Sequence, residues 1–322
     1  MEKYKELESE FAKFIGTKYC SVCSSGTSAL TLAVNALGVG DEVIVPEFNM
    51  IAGAWAVTYN RATPVFVDCG DDFNIDPFLI EKTITPKTKA IMITHIYGRP
   101  CDMDLIMGIA RRHNLPVIED ACEAHGATYK GKRVGSFGKL GCFSLYKNKI
   151  IQSEEGGLIT TDDLEMKELI DDVKSMAFGR DHNYFHSRFG FNFRLTNMQS
   201  EVALFHLGKI EEYIVRRAEI AREYDKVLAE YVIPRPEGSV VWVYDVLFPT
   251  QEMRDVVYKK LSDAGIAVRM FFKPMSMQPM YHGEYTHLKA YDFSRRGLYL
   301  PVHEKMGQGE VGRVCQLIKE VI

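Results

Sequence analysis

The chain has 322 residues, 46% of them hydrophobic, and a formal net charge of −4. That length can bury a large core without disulfides or metals, and suits one large domain with a smaller one. The mild acidity gives no reason to expect a nucleic acid or membrane partner, and the uncharged stretch 20–40 is too rich in Ser, Thr, Gly and Asn to span a bilayer.

Residues 3–15 have the pattern of a short helix, and Met1 runs directly into charged residues, so no signal peptide is expected. Cys20 and Cys23 form a lone C-x-x-C with no second pair at zinc spacing. The seven cysteines are scattered, which points to reduced, mostly buried thiols, no metal site and a cytoplasmic protein. After Ser24-Ser25-Gly26-Thr27-Ser28, the residues Leu30, Ala33, Val34 and Leu37 recur at helical spacing. Strand-like runs then alternate with helical ones: 42–46, 64–68, 90–95, a helix near 102–113, 116–119, 141–146, 158–161 and a helix near 164–176. Strands separated by helices predict a mostly parallel sheet covered on both faces. Ala203, Leu207, Ile210, Ile214, Ile220, Tyr224, Leu228 and Tyr231 keep a spacing of three or four, broken once at Arg217. This predicts one long helix ended by Pro234, Pro236 and Gly238. Beyond it, a strand near 240–247, a helix near 253–264, a strand near 267–272 and a closing helix at 309–322 make a small α/β lobe. The expected division is 1–205 for the large domain and 206–322 for the connecting helix and small domain.

Three segments carry candidate chemistry. The Ser25-Gly26-Thr27 turn just before a helix is either an ordinary N-cap or an anion cradle, because unpaired amides and the positive end of the helix dipole attract phosphate. Asp120 closes the run Val117-Ile118-Glu119-Asp120, at the strand end where α/β sheets bind ligands. It either caps the following segment or pairs with a protonated pyridine nitrogen, which would make the ring an electron sink. Ser144 is followed by two lysines, Lys147 and Lys149, and a surface position is the ordinary reading of either. A buried lysine there would supply the amine for a Schiff base. Together these are the parts that hold pyridoxal 5′-phosphate (PLP).

Their order and spacing resemble the DegT/DnrJ/EryC1/StrS sugar aminotransferases, fold-type I PLP enzymes. The likeness covers nearly the whole chain: Ser-Ser-Gly-Thr-Ser-Ala-Leu from Ser24, Val-Pro-Glu-Phe from Val45, Ala-Thr-Pro-Val-Phe-Val-Asp from Ala62, Ile-Glu-Asp-Ala-Cys-Glu-Ala-His-Gly from Ile118, Glu-Gly-Gly from Glu155 and Gly-Phe-Asn-Phe-Arg-Leu-Thr-Asn-Met-Gln from Gly190. It implies a seven-stranded, mostly parallel sheet with a smaller C-terminal α/β domain. The family's lysine falls five residues after the phosphate-binding Ser and six before the Glu of Glu-Gly-Gly, which Lys149 satisfies and Lys147 does not. By the same resemblance Asp120 meets the pyridine nitrogen, Glu123 lies near the ring hydroxyl, and Ser25, Gly26, Thr27 and Ser144 hold the phosphate. Met50 stands where the family usually stacks an aromatic residue on the ring, a face a thioether can also pack. Asn192 resembles the residue that reaches the phosphate of a neighbouring subunit's cofactor, which implies a homodimer with shared sites.

Tyr184-Phe185-His186 and Arg296-Gly297 ahead of Leu300-Pro301 resemble the GDP-perosamine synthase branch, which aminates the C4 ketone of a GDP-linked 4-keto-6-deoxy sugar. His186 is the candidate substrate contact, beside its reading as a packing residue; Gln278, in Gln-Pro-Met-Tyr, lies where the family approaches the sugar nucleotide. Arg269 is either a contact to the amino donor's carboxylate or half of a structural ion pair. Two departures stand out. The likeness begins at Glu2-Lys3-Tyr4-Lys5, without the helix and loop that usually precede it and help roof the substrate site, and Lys147 and Glu154 replace positions that are often Gly. The implied activity is transfer of an amino group from L-glutamate to a nucleotide-linked keto-sugar. The alternatives are a PLP-fold sensor or partner protein without turnover, and a related PLP sugar dehydratase, which carries His at the lysine position. No G-x-G-x-x-G follows the first strand, which disfavours a nicotinamide enzyme.

Overall fold

A computed structural model describes residues 2–179, 184–281 and 288–322. The chain runs α1 (Lys3–Ile15), β1 (Tyr19–Cys23), α2 (Gly26–Ala36), β2 (Glu42–Pro46), α3 (Ala52–Tyr59), β3 (Thr63–Val67), α4 (Pro77–Thr83), β4 (Thr88–Thr94), α5 (Met103–Arg112) and β5 (Val117–Asp120). A two-residue hairpin, β6 (Thr128–Tyr129) and β7 (Lys132–Arg133), precedes β8 (Leu140–Ser144), β9 (Gly157–Thr161) and α6 (Leu164–Lys174). Then come α7 (Asn197–Leu207), α8 (Ile210–Leu228), β10 (Tyr244–Leu247), α9 (Gln251–Asp263), β11 (Arg269–Met270), α10 (Leu288–Arg296), β12 (Gly297–Leu300) and α11 (Gln308–Lys319).

Local signals explain most of these boundaries. α1 buries Leu7, Phe11, Ala12 and Ile15 and stops at Gly16, whose φ of 87° lets its amide close on the Ala12 carbonyl. Asp102, Asp163 and Thr250 cap α5, α6 and α9 through their side chains. Seven strands form one sheet in the order β1-β9-β8-β5-β4-β2-β3. β3, β2, β4, β5 and β8 run parallel, while β9 is antiparallel to both β8 and β1. Every residue of β5, β8 and β9 is buried, as expected for strands covered on both faces. This is the mostly parallel α/β sheet expected from the alternating pattern.

That topology gathers the strand ends. β1, β5 and β8 finish at one edge with Cys23, Asp120 and Ser144, and β9, running the other way, begins there. Gly157 is in register with both Cys23 and Ser144. A Cβ at Gly157 would fall 2.2 Å from the Ser25 carbonyl oxygen, so only Gly lets the first turn sit against the start of β9.

The C-terminal part folds around a three-stranded antiparallel sheet, β10-β12-β11. Its core joins Ile220, Tyr224 and Leu228 of α8 to Val246, Val257, Leu298 and Ile318. β1, α4, the β6–β7 hairpin, α10 and β12 are additional to the expected elements, and so is α3, which buries Ala52, Gly53, Ala54, Ala56 and Val57 and so lacks a polar face to give it period. The single long helix expected over 203–231 is instead two, α7 and α8, parted at Gly208–Lys209, with a 3₁₀ turn at Ala229–Tyr231. The apparent break at Arg217 lies inside α8: the residue is buried and donates to the carbonyls of Trp242 and Val302, each at 2.9 Å. No helix among the described residues is long and apolar enough to cross a membrane.

Candidate active site

Ser25 is the N-cap of α2, and its hydroxyl accepts the Ser28 amide at 3.0 Å. The Gly26 and Thr27 amides remain at the positive end of the helix, where an anion is favoured. A Cβ on Gly26 would sit 2.7 Å from Ser144 Cβ and 3.1 Å from Cys122 Sγ, so the turn that opens α2 lies directly on the end of β8. The Ser144 hydroxyl accepts the Tyr146 amide at 3.2 Å. These amides and hydroxyls form a polar cradle of the kind that can hold a phosphate.

Asp120, at the end of β5, is buried, and its Oδ1 accepts the Cys122 amide at 3.1 Å. Burial raises its pKa, while Cys122, Lys149 and His95 pull it down. Glu123 is also buried and takes the Tyr97 amide at 2.9 Å. Burial pushes its carboxyl up to about 7, against the attraction of Lys149 and the Tyr97 bond. Lys149 is half-buried; its Nζ lies 3.8 Å from the centre of the Trp242 ring. Lys147 is exposed. A phosphate cradle, a buried carboxylate for a ring nitrogen and one amine within electrostatic reach of that carboxylate thus converge on one sheet edge. The residues fit PLP.

Behind them, His95 Nε2 lies 3.1 Å from Glu119 Oε2 while its Nδ1 accepts the Cys101 amide, so Nε2 carries the proton. Glu119 also takes the amides of Gly135, Phe137 and Gly138. These bonds fix the β5 strand next to Asp120. His125 is fully buried, its ring nitrogens have no partner among the described residues, and burial lowers its pKa to about 3.

Glu123 gives the site a measurable signature. A carboxyl held above its unfolded value adds stability that is present at low pH and lost as pH rises from about 4.5 through about 7. At 1.36 kcal/mol per unit, the loss is about 3 kcal/mol. His125, held low, acts with the opposite sign, losing stability as pH falls, so the comparison must be with a variant at Glu123 alone. Between pH 5 and pH 8 the melting temperature of the cofactor-free protein is expected to fall relative to that of Glu123→Gln. A constant gap across that window would remove the buried, proton-holding role.

The remaining expected contacts are less gathered. Met50 follows β2 on the same edge and is 50% exposed, its amide donating to Asn49 Oδ1. Asn192 is exposed, in an isolated bridge with Ser175. His186 is exposed, with Nδ1 2.8 Å from the Met176 carbonyl and its ring 4.9 Å from that of Phe178, and among the described residues no hydrogen bond joins it to the Lys149 cluster. Gln278 is half-buried in a loop tied over the β2 end, where Ser276 bonds Glu47 and Tyr281 bonds Thr58. Arg269 is exposed on β11 and makes no ion pair among the described residues.

Sequence reasoning missed two residues here. Tyr97 holds a left-handed backbone (φ 54°, ψ 25°) in the loop after β4, where its amide meets Glu123. Trp242 donates from Nε1 to the Asn148 carbonyl at 2.9 Å. A His-x-Tyr-Gly run directly after a strand would have flagged Tyr97; nothing local flags Trp242. A cavity of about 920 Å³ between α7, α8 and Glu304–Lys305 is separate from these residues.

Comparison with known proteins gives a consistent result. Residues 2–319 match the model of the DegT/DnrJ/EryC1/StrS aminotransferase family. The GDP-perosamine synthase of Caulobacter vibrioides is 40% identical over 335 residues, covering 98% of this chain and 89% of the relative. The UDP-2-acetamido-2-deoxy-3-oxo-D-glucuronate aminotransferase of Pseudomonas aeruginosa is 36% identical, covering 96% and 88%. Among solved structures, S. venezuelae DesV in complex with a ketimine intermediate superposes with a TM-score of 0.91 at 34% identity, covering 99% of this chain and 88% of that one.

Proposed function

Because the chain belongs to the DegT/DnrJ/EryC1/StrS aminotransferase family, and is therefore a PLP-dependent nucleotide-sugar aminotransferase, we propose that it moves an amino group from L-glutamate to C4 of a GDP-linked 4-keto-6-deoxy sugar. The observation that carries the sugar assignment is the 40% identity to a GDP-perosamine synthase across 98% of the chain, against 36% for a relative acting on a UDP-linked 3-oxo sugar. The site supports the class. Bound PLP supplies an electron sink for the proton transfers at the amino-bearing carbon. Ser25, Gly26, Thr27 and Ser144 hold its phosphate. Asp120 keeps a proton on the ring nitrogen, Glu123 lies near the ring hydroxyl, and Met50 covers a ring face. Lys149 would hold the aldehyde carbon and, once freed as an amine, would carry a proton from glutamate Cα to the cofactor in the first half of the reaction and from the cofactor to the sugar carbon in the second. His186 and Gln278 are the proposed substrate contacts.

Two further parts belong to this reading. The enzyme works in the cytoplasm, and it is a homodimer in which Asn192 reaches the cofactor phosphate of the other subunit. Support for the dimer comes from Tyr184, Phe185, Phe189, Met198 and Phe205, which expose large apolar side chains on either side of Asn192 in the chain. The substrate assignment is tested with L-glutamate and three keto-sugars: a GDP-linked 4-keto-6-deoxy sugar, its dTDP counterpart and a UDP-linked 3-keto sugar. Glutamate-dependent release of 2-oxoglutarate is expected with the GDP sugar, with kcat/KM above the others by about a hundredfold, the size of discrimination a few lost polar contacts produce. Preference for either of the other sugars would overturn the assignment and leave the family intact.

A further inference from the structure

Trp242 makes two contacts that ordinary core packing does not require. It is buried with Tyr97 and Tyr299, whose ring centres lie 6.3 and 6.1 Å away, and packing alone accounts for that. Packing does not account for an indole N–H spent on the carbonyl of Asn148, an exposed residue 94 positions earlier in the chain. Nor does it account for the Lys149 Nζ held 3.8 Å from the centre of the same ring. Asn148 and Lys149 are consecutive, so one side chain fixes both the backbone that carries the reactive lysine and the amine at its tip. Among the described residues the partner of that amine is the Trp242 ring, and no carboxylate forms an ion pair with it.

The Trp is itself placed from elsewhere. Its carbonyl accepts Arg217 Nη1 at 2.9 Å, and the same nitrogen donates to the Val302 carbonyl at 2.9 Å. Arg217 Nη2 lies 3.5 Å from Glu304. The α8 helix and the segment after β12 therefore set the position of the ring, and the ring sets the position of Lys149.

We propose that Trp242 is the positioning residue of Lys149: its N–H pins the Asn148 carbonyl, and its ring face receives the lysine head whenever the amine is not engaged with the cofactor. This rests on Lys149 being the cofactor lysine. The physical need is specific to a reaction in which the amine is repeatedly released and recaptured. A lysine has many rotamers, and each release lets it leave the reacting carbon. Once the amine has taken a proton it is a cation, which gains roughly a two- to thirtyfold bias toward an indole face, more as water is excluded, and it acts again as an amine when that proton has been passed on. The tip is thus kept near the site without an ion pair that would compete for it.

Trp242→Phe keeps a ring face and loses the N–H; Trp242→Leu loses both. Two probes separate the cradle from the lysine. Pyridoxine 5′-phosphate, which has no aldehyde, reports the phosphate and ring contacts alone. The rise of visible absorbance on adding PLP, with borohydride fixation and peptide mapping, reports capture by Lys149. We expect all three proteins to bind pyridoxine phosphate within about twofold, with capture slowed about threefold in Trp242→Phe and about tenfold or more in Trp242→Leu. In turnover, kcat should fall in the same order while KM for glutamate stays unchanged. Capture at the wild-type rate in both variants overturns the inference. So does a loss of pyridoxine phosphate affinity in step with capture, which would make Trp242 a support of the cradle. If Trp242→Leu does not fold, Trp242→Phe and Trp242→Tyr carry the same comparison, each expected to show the threefold slowing. Fixation of PLP by the wild-type protein at a lysine other than Lys149 would instead sink the reading beneath it.

Discussion

Lys149→Ala is expected to lower turnover by about 10⁴-fold or more while leaving the protein folded and able to bind PLP. The size follows from losing two roles at once: a positioned acid–base group contributes about 10² to 10⁴, and loss of the covalent anchor adds to it. Retention of PLP follows from the geometry. The cradle of Ser25, Gly26, Thr27 and Ser144 belongs to the start of α2 and the end of β8, and the nearest of them, Ser144, lies five residues before the lysine. The variant should bind PLP without the visible band of the covalently held form and release no 2-oxoglutarate from glutamate. Lys147→Ala is the matched control. Its side chain is exposed, and surface changes of this kind move energies by about 0.5 kcal/mol, so its rate should stay within about threefold of wild type. A Lys149→Ala enzyme turning over near the wild-type rate would remove Lys149 from the chemistry.

The contrast between these lysines shows what the sequence made legible. Composition and local periodicity leave Lys147 and Lys149 equivalent. Spacing to Ser144 and Glu155 distinguishes them, and in the structure Lys147 is exposed and Lys149 half-buried. The sheet was legible because β2, β4, β5 and β8 are short apolar runs bounded by polar turns, and the Ser25 turn was legible because N-cap chemistry is local. What stayed hidden depends on residues distant in the chain. Arg217 looks like a flaw in an apolar period because its partners are backbone carbonyls of Trp242 and Val302, which no side-chain pattern advertises. Trp242 looks like any core aromatic until its N–H is seen on Asn148. Arg99 is fully buried, with its two terminal nitrogens on Asp245 and on the carbonyls of Ile233 and Pro234, so its charge marks a junction between distant segments. The same limit explains the helix break. Gly208 adopts a right-handed helical backbone, so no local strain announces that α7 stops. The division there goes with where each helix packs: α7 and the start of α8 contribute Ala203, Ile210 and Tyr213 to one core, and the rest of α8 contributes Ile220, Tyr224 and Leu228 to another.

Asp120→Asn carries the second large expectation, because it changes a charge and almost nothing else. The side chain keeps its size and keeps an oxygen for the Cys122 amide. It loses the ability to hold a proton on the cofactor's ring nitrogen, and with it the charged nitrogen that draws electrons from the reacting carbon. Asp120 is buried, so the ion pair proposed between it and that nitrogen would be poorly screened. Breaking a buried pair by removing one partner costs about 3–5 kcal/mol, which at 1.36 kcal/mol per decade is roughly a hundred- to several-thousand-fold in rate. The loss should appear in kcat for both halves of the reaction, since the ring is the electron sink in each. Asp120→Glu separates charge from placement: it restores the carboxylate one methylene too far along in a buried site, and should recover part of the rate. If Asp120→Asn instead left kcat intact and only weakened PLP binding, Asp120 would be holding the ring in place without tuning it. The electron-withdrawing nitrogen would then need a different partner, and among the buried carboxylates within electrostatic reach of Lys149, Glu123 is the one to test next.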